Sequence, residues 1–348
     1  MTALLFIAGL VLLVVGGEFL VRGAARLAAT LGVPSLIIGL TVVAFGTSSP
    51  ELAVNVQAGL AGQADIAVGN VVGSNIFNVL FILGLSAVIV PLVVSEQLVR
   101  LDVPVMIAVS ALFFLLATDG VVGRVEAMLL VGLLAAYLAM QLIISRRTPT
   151  PATDDVEAGG GMLVNGLFIA GGLVLLVLGS RWLVQSATAM AEAFGVSQLV
   201  VGLTVVAAGT SMPEVATSVI AGIRGQRDIA VGNVIGSNIF NILAVVGFAG
   251  IVTPGGIPVS AGALAMDIPV MVAVALLCLP IFITRFSISR IEGLLFLGYY
   301  ALYTTYLVLD ASGHDALDEY RAVVLLIVLP LTLLTLAGFI VRGRLQRD

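Results

Sequence analysis

Two glutamates sit in settings that could bind a hard metal ion. Glu51 ends the run GTSSPE and Glu214 ends GTSMPE. Thr47 and Ser48 lie four and three residues before Glu51, so on a helix their hydroxyls share its face. Pro50 has no N–H and leaves the carbonyl of Gly46 without its helical partner. Thr210, Ser211, Pro213 and the Gly209 carbonyl repeat the set around Glu214. Hydroxyls, freed carbonyls and a carboxylate are oxygen ligands suited to Ca²⁺ or Na⁺ rather than to softer metals. A second row follows each glutamate. Asn70, Ser74 and Asn78 recur every fourth residue and form one polar stripe on an otherwise apolar helix, and Asn233, Ser237 and Asn241 repeat it. Asn70, Asn233, Asn75 and Asn238 also suit a plainer role as polar glue between helices, and Gly69, Gly73, Gly232 and Gly236 would let helices approach closely.

The elements that position these groups are membrane spans. Of 348 residues, 60% are hydrophobic and 10% charged, with a mean hydropathy of +1.20. A soluble domain carries roughly 25% charged residues, so there is too little polar surface here to cover a water-soluble globule. The apolar residues come in runs of about 20, which excludes a β-barrel built on alternating strands. Such runs start near Ala3, Pro34, Ile66, Val103, Val125, Leu163, Ser197, Ile229, Met266, Ile291 and Ala322, predicting eleven helices. Residues 1–20 read as a retained first span, because they lack a basic leader region and a cleavage site and because a similar segment recurs near residue 166. Glu51 and Glu214 then fall near mid-membrane, where an ionisable group costs roughly 2.5–3.5 kcal/mol on insertion scales. No arginine lies at matching depth, so a polar interior and a compensating cation are the remedy.

All 15 basic residues are arginines. Arg22/Arg26, Arg100, Arg146/Arg147, Arg224/Arg227, Arg285/Arg290 and Arg342/Arg344/Arg347 fall on alternate connections, with Arg124, Arg181 and Arg321 as minor exceptions. The positive-inside rule places the N-terminus outside and the C-terminus in the cytoplasm. No basic run suggests a nucleic-acid surface. One histidine (His314) and one cysteine (Cys278) leave no zinc site or Cys–His nucleophile pair. Neither HExxH nor GxSxG occurs, so the chain reads as no enzyme.

The chain is duplicated. The 40-residue stretch from Gly39 matches the stretch from Gly202 without a gap, at about three-quarters of positions. LDVPVM at Leu101 echoes MDIPVM at Met266, and RVEAMLL at Arg124 echoes RIEGLLF at Arg290. Residues 1–145 form the first copy and 163–310 the second. A linker spans 146–162, and residues 311–348 hold an acidic outer loop, one extra span and a basic tail. Five spans per copy is an odd number, so the copies insert with opposite orientation, the inverted-repeat plan of many secondary transporters. The fold class is an all-α polytopic membrane protein with a ten-span core plus one C-terminal helix. Asp65 and Asp228 read as N-caps, Asp102 and Asp267 as helix-start residues, and Glu18 and Arg181 as interfacial.

GTSSPE with GNVVGSNIFN, duplicated as GTSMPE with GNVIGSNIFN, closely resembles the α-repeats of the sodium/calcium exchanger superfamily of cation/Ca²⁺ antiporters, in particular bacterial members without a large cytoplasmic loop. The resemblance implies that the second, third, seventh and eighth spans surround a central site, and that spans one and six slide to alternate access. By motif, the implied ion ligands are Thr47, Ser48, Glu51, Ser74 and Asn78, then Thr210, Ser211, Glu214, Ser237 and Asn241, with the carbonyls of Ala44 and Ala207. Some relatives carry aspartate where this chain has Asn78 or Asn241, so here the fixed charge comes from two glutamates and balances one Ca²⁺. The family's usual three Na⁺ per Ca²⁺ would move one net charge, worth about 2.3 kcal/mol per 100 mV. The implied activity is Na⁺/Ca²⁺ antiport in a cell membrane, with Ca²⁺ and Na⁺ as transported ions, the lipid bilayer as surroundings and no cofactor. Ca²⁺/H⁺ or K⁺-dependent exchange on the same scaffold is the alternative, and a cation channel the remote one.

Overall fold

A computed structural model describes residues 2–60, 65–147, 161–193, 207–324, 326 and 330. Within them the protein is mostly helical, with eight helices long and apolar enough to cross a membrane, or nine if one bent pair is a single span. In chain order these are α1 (Thr2–Leu31), the bent pair α2 (Ser35–Thr47) and α3 (Ser49–Leu60), α4 (Ala67–Ile89), α5 (Leu98–Leu116) and α6 (Arg124–Arg147). The second half holds α7 (Met162–Ala193), the short α8 (Ala207–Gly209), α9 (Met212–Ile223), α10 (Arg227–Val252), α11 (Ala263–Ile283), α12 (Arg290–Ala311) and α13 (Leu317–Val323). The seventh predicted span lies partly, and the eleventh almost wholly, outside the described residues.

The polarity is inverted relative to a soluble protein. Large apolar side chains such as Leu4, Val125, Leu163 and Ile291 stand exposed on the outside, while Thr47, Glu51, Ser237 and Asn241 are buried. That is the arrangement expected where lipid is the solvent. The centre is α10, whose residues from Ile229 to Phe240 are all buried, packed against α2, α4 and α9.

Glycines set the closest contacts. Along α1, Gly9, Gly16 and Gly23 lie against Leu183, Leu176 and Phe168 of α7, so the two helices run antiparallel in contact over their length. A Cβ added at Gly172 would stand 2.6 Å from the Leu20 nitrogen and 2.7 Å from the Gly16 oxygen, both backbone atoms that cannot swing aside. Gly172→Ala is therefore expected to push the pair apart and to cost about 1–3 kcal/mol. At Gly171 an added Cβ meets no described atom within 4 Å, so Gly171→Ala should leave the detergent thermal midpoint unchanged while Gly172→Ala lowers it. Gly232 and Gly236 do bring α10 onto Leu36 and Leu40 of α2. At Gly69 and Gly73 an added Cβ meets no described atom within 4 Å.

Two small β pairs close the two ends, each joining one half of the chain to the other. β1 (Leu92–Val93) pairs antiparallel with β4 (Ser287–Ile288), and β2 (Val121–Val122) with β3 (Ile257–Pro258). The contacts repeat at equivalent positions: Val94 N–H donates to the Phe286 oxygen at 2.7 Å and Val259 N–H to the Gly120 oxygen at 2.8 Å. Gly120 and Phe286 both adopt positive φ, 87° and 49°. That conformation suits glycine and strains the phenylalanine.

Several sequence expectations are corrected. Asp228 lies inside the first turn of α10, with Gln226 in the N-cap position, so it caps nothing there. Asp65 opens its helix, and its side chain lies outside the described set. Asp102 is not a helix-start residue. A π-helical turn, Leu98–Asp102, continues the helix through it, and the side chain is fully buried. There it accepts hydrogen bonds from Tyr137 Oη at 3.2 Å, from Gln97 Nε2 at 3.3 Å and from Gln141. Asp267, at the equivalent position, accepts from Tyr303 at 3.0 Å. Glu18 ties Arg22 to Arg224, each at 2.8 Å, joining α1 to the end of α9. These side chains are partly exposed, so the link adds little stability.

Candidate functional site

The proline at the second position of α3, and its counterpart in α9, sets the local geometry. The chain bends by 43° between α2 and α3, with Ser48 at the corner at φ −81°, ψ 3°. Ser211 has nearly the same backbone, φ −87°, ψ 8°. The break is a one-residue corner rather than an unwound stretch: Ser48 N–H still donates to the Ala44 oxygen at 3.0 Å. The Gly209 carbonyl, freed by Pro213, accepts a hydrogen bond from Ser180 of α7. The two corners orient the side chains that follow them.

Both glutamates are about 1% exposed and meet at a crossing of the two halves. Ser211 Oγ donates to Glu51 Oε1 at 3.4 Å, and Ser48 Oγ donates to Glu214 Oε1 at 3.4 Å. Each carboxylate is thus held by the serine of the other half. The threonines turn outward to the asparagine rows. Thr47 Oγ1 donates to Asn233 Oδ1 at 3.1 Å and Thr210 Oγ1 to Asn70 Oδ1 at 3.4 Å.

Asparagines build a lattice between α4 and α10. Asn78 Nδ2 donates to Asn238 Oδ1 at 3.1 Å, and Asn241 Nδ2 to Asn75 Oδ1 at 3.0 Å. Asn75 and Asn238 in turn donate to each other's backbone oxygens at 3.3 and 3.4 Å. Asn75 and Asn238 thereby join the two helices and hold two candidate ligands, as the glue reading of those positions expects. Asn78 and Asn241 each begin a π-helical turn, Asn78–Leu83 and Asn241–Val246, which advances the side-chain register where the stripe ends. π-Turns of this kind are frequent at functional sites.

The atoms left over define the chemistry. Glu51 Oε2, Glu214 Oε2, Asn78 Oδ1, Asn241 Oδ1, Ser74 Oγ and Ser237 Oγ are all buried and without a described hydrogen-bond partner. They form three equivalent pairs, one member from each half. A buried oxygen with no donor is costly, and a carboxylate oxygen more so. Hard oxygens of this kind are the ligand type that suits Ca²⁺ or Na⁺. Among the described residues no group of three or more His, Cys, Asp or Glu side chains gathers.

Of the twelve positions singled out in the sequence, Thr47, Ser48, Glu51, Ser74, Asn78, Ser211, Glu214, Ser237 and Asn241 are buried in this central region, and Thr210 is half-buried beside Asn70. The Ala44 oxygen already accepts from Ser48 N–H and, at 3.4 Å, from Thr47 Oγ1. Of Ala207 only the backbone, at the start of α8, is described. Asn55, Thr217 and Ser218, one turn beyond the glutamates, are fully buried polar residues that the motifs did not flag. Their spacing of three or four residues from Glu51 and Glu214 was the available signal.

The sodium/calcium exchanger protein family model matches residues 1–143 and 164–309. The chain is 41% identical over 288 residues to the inner membrane protein YrbG of Escherichia coli (strain K12), covering 80% of this chain and 88% of that one. It is 33% identical over 339 residues to the sodium/calcium exchanger MaX1 of Methanosarcina acetivorans, covering 86% and 96%. A structure of the sodium-calcium exchanger NCX_Mj, soaked with zero Na⁺ and Ca²⁺, superposes with a TM-score of 0.76 at 29% identity, over 88% of this chain and 98% of that one. With two matched glutamate corners at its centre, the chain belongs to the sodium/calcium exchanger protein family and is a multi-pass membrane protein of the cation/Ca²⁺ antiporter type.

Proposed function

We propose that the protein is a secondary active antiporter that exchanges Ca²⁺ for Na⁺ across the cell membrane by alternating access. The observation that carries this reading is the crossed pair Glu51–Ser211 and Glu214–Ser48, surrounded by buried oxygens that lack donors. Two carboxylates neutralise one Ca²⁺. The same oxygens can instead hold Na⁺ ions, and competition for one ligand set couples the two fluxes. The ligands in this reading are Thr47, Ser48, Glu51, Ser74 and Asn78 with Thr210, Ser211, Glu214, Ser237 and Asn241, and the Ala44 and Ala207 carbonyls at the margins.

The architecture belongs to the same proposal: two inverted five-span repeats, 1–145 and 163–310, a cytoplasmic linker, an eleventh span, an outer N-terminus and a cytoplasmic C-terminus. The antiparallel contact of α1 with α7, equivalent helices of the two copies, supports the inversion. Their glycine seam makes them one smooth unit that can shift against the rest.

Purified protein in Na⁺-loaded vesicles is expected to take up Ca²⁺ when external Na⁺ is removed, and to stop when the Na⁺ gradient is dissipated under a maintained pH gradient. Uptake that follows the pH gradient instead would replace Na⁺ by H⁺ as the coupling ion. Ca²⁺ flux indifferent to any counter-ion would refute antiport.

A further inference from the structure

Serine and threonine hydroxyls buried in a helix usually bond back to the carbonyl one turn earlier. In this protein Thr41, Ser110, Ser186 and Thr253 do so, at 2.6–2.8 Å. Five buried hydroxyls on membrane helices have no described partner: Ser74, Ser237, Ser86 and Thr217 in the core, and Thr188 on the partly exposed α7. Ser74 and Ser237 are equivalent members of the central set. Ser86, 2% exposed, and Thr217, fully buried, have no such counterparts: the equivalent positions hold Ala249 and Val54.

Their placement is directional. Thr217 follows Glu214 by three residues and Ser218 by four, on the buried face of α9. Ser86 lies eight residues past Asn78 in the closing turns of α4, against which α9 packs. Both helices finish at one end of the molecule: a Cβ added at Gly222, near the end of α9, would lie 3.7 Å from the Leu92 side chain in β1. That end carries Arg100, Arg224, Arg227 and Arg290. On the opposite side, between α3 and the end of α10, the matching positions are Val54, Asn55 and Ala249. The opposite side thus keeps one unpartnered polar atom, Asn55 Oδ1, but none of the hydroxyls that Ser86 and Thr217 supply at the arginine-bearing end.

We infer that Thr217 and Ser86 line the passage between the glutamate pair and the arginine-bearing end, and that their free hydroxyls contact the transported cation on that side only. A desolvating Ca²⁺ or Na⁺ needs replacement oxygens at each step, and these two supply them without fixed charge that would trap it. The inference rests on the antiport reading but not on the identity of the coupling ion.

The test is Ca²⁺ flux in proteoliposomes sorted by orientation through a C-terminal affinity tag. Thr217→Val combined with Ser86→Ala is expected to raise the KM for Ca²⁺ applied at the arginine-bearing face about tenfold, the equivalent of one lost polar contact, and to leave the KM at the other face unchanged. Thr217→Ser keeps the hydroxyl and should behave as wild type. Val54→Thr with Ala249→Ser should lower the KM at the opposite face. Equal shifts at both faces, or none at either, would overturn the inference while leaving antiport intact. Wild-type protein that carries no Ca²⁺ would instead remove the antiport reading. If the Val/Ala pair fails to fold, the Val54→Thr with Ala249→Ser pair decides the outcome alone, and an unchanged KM at the opposite face counts against the inference.

Discussion

Glu51→Gln is expected to lower Ca²⁺ transport by at least ~100-fold and, at the same time, to stabilise the ion-free protein. The two effects have one cause. The two carboxylates are both buried at the crossing of the halves, each with one oxygen bonded to a serine and one oxygen without a described partner. Glutamine keeps the shape, still accepts from Ser211, and removes a carboxyl that, without a cation, must be buried either charged or protonated. Ca²⁺ then meets a single negative charge in the interior, and an uncompensated buried charge costs roughly 3–5 kcal/mol, more than enough for a hundredfold loss of affinity. Thermal unfolding in detergent separates this from simple damage. The wild type should gain about 2.7 kcal/mol at a Ca²⁺ concentration a hundred times its Kd. The variant should begin higher and gain less than about 0.5 kcal/mol at that concentration. A variant that starts lower, or that retains the Ca²⁺-dependent gain, would contradict the assigned role. Glu214→Gln should match it, because Ser48 holds Glu214 as Ser211 holds Glu51.

Much of this centre was legible before any coordinates, because duplication is a statement about space. Two copies of GTS-x-PE and GNV-x-GSNIFN can only be useful together if the halves meet, and they do so through Glu51, Ser48, Glu214 and Ser211. The illegible part concerns what lies between elements. That Asn78 bonds Asn238 while Asn241 bonds Asn75 depends on how α4 and α10 cross, which no periodicity encodes. The π-turns beginning at Asn78 and Asn241 were hidden for another reason: one inserted residue changes side-chain direction without changing composition. Asp102 looked like a helix-start residue because Pro104 follows two positions later, a common first-turn pattern. The partners that let it be buried, Tyr137 and Gln141, lie one span further on and carry no motif of their own.

Asn75→Ala should have the second-largest effect, although in this account Asn75 touches no ion. Asn75 Oδ1 accepts from Asn241 Nδ2 at 3.0 Å, and that bond fixes which way the Asn241 amide faces. With its nitrogen engaged, Asn241 presents its oxygen, the atom without a described partner, to the site. Alanine at 75 strands a buried donor on Asn241 and removes the bond to the Asn238 oxygen. Each stranded group costs about 1–3 kcal/mol, and an amide free to rotate presents nitrogen as readily as oxygen to a cation. We expect Ca²⁺ affinity to fall by about 10–30-fold, in line with losses seen when a residue supporting a metal ligand is removed. A double-mutant cycle distinguishes orientation from packing. If Asn75 acts by aiming Asn241, then Asn241→Ala should cost little further affinity once Asn75 is alanine. Fully additive losses in Ca²⁺-dependent thermal stabilisation would show that Asn75 contributes through helix packing alone. The equivalent cycle between Asn238 and Asn78 should give the same answer, since the same bond holds there at 3.1 Å.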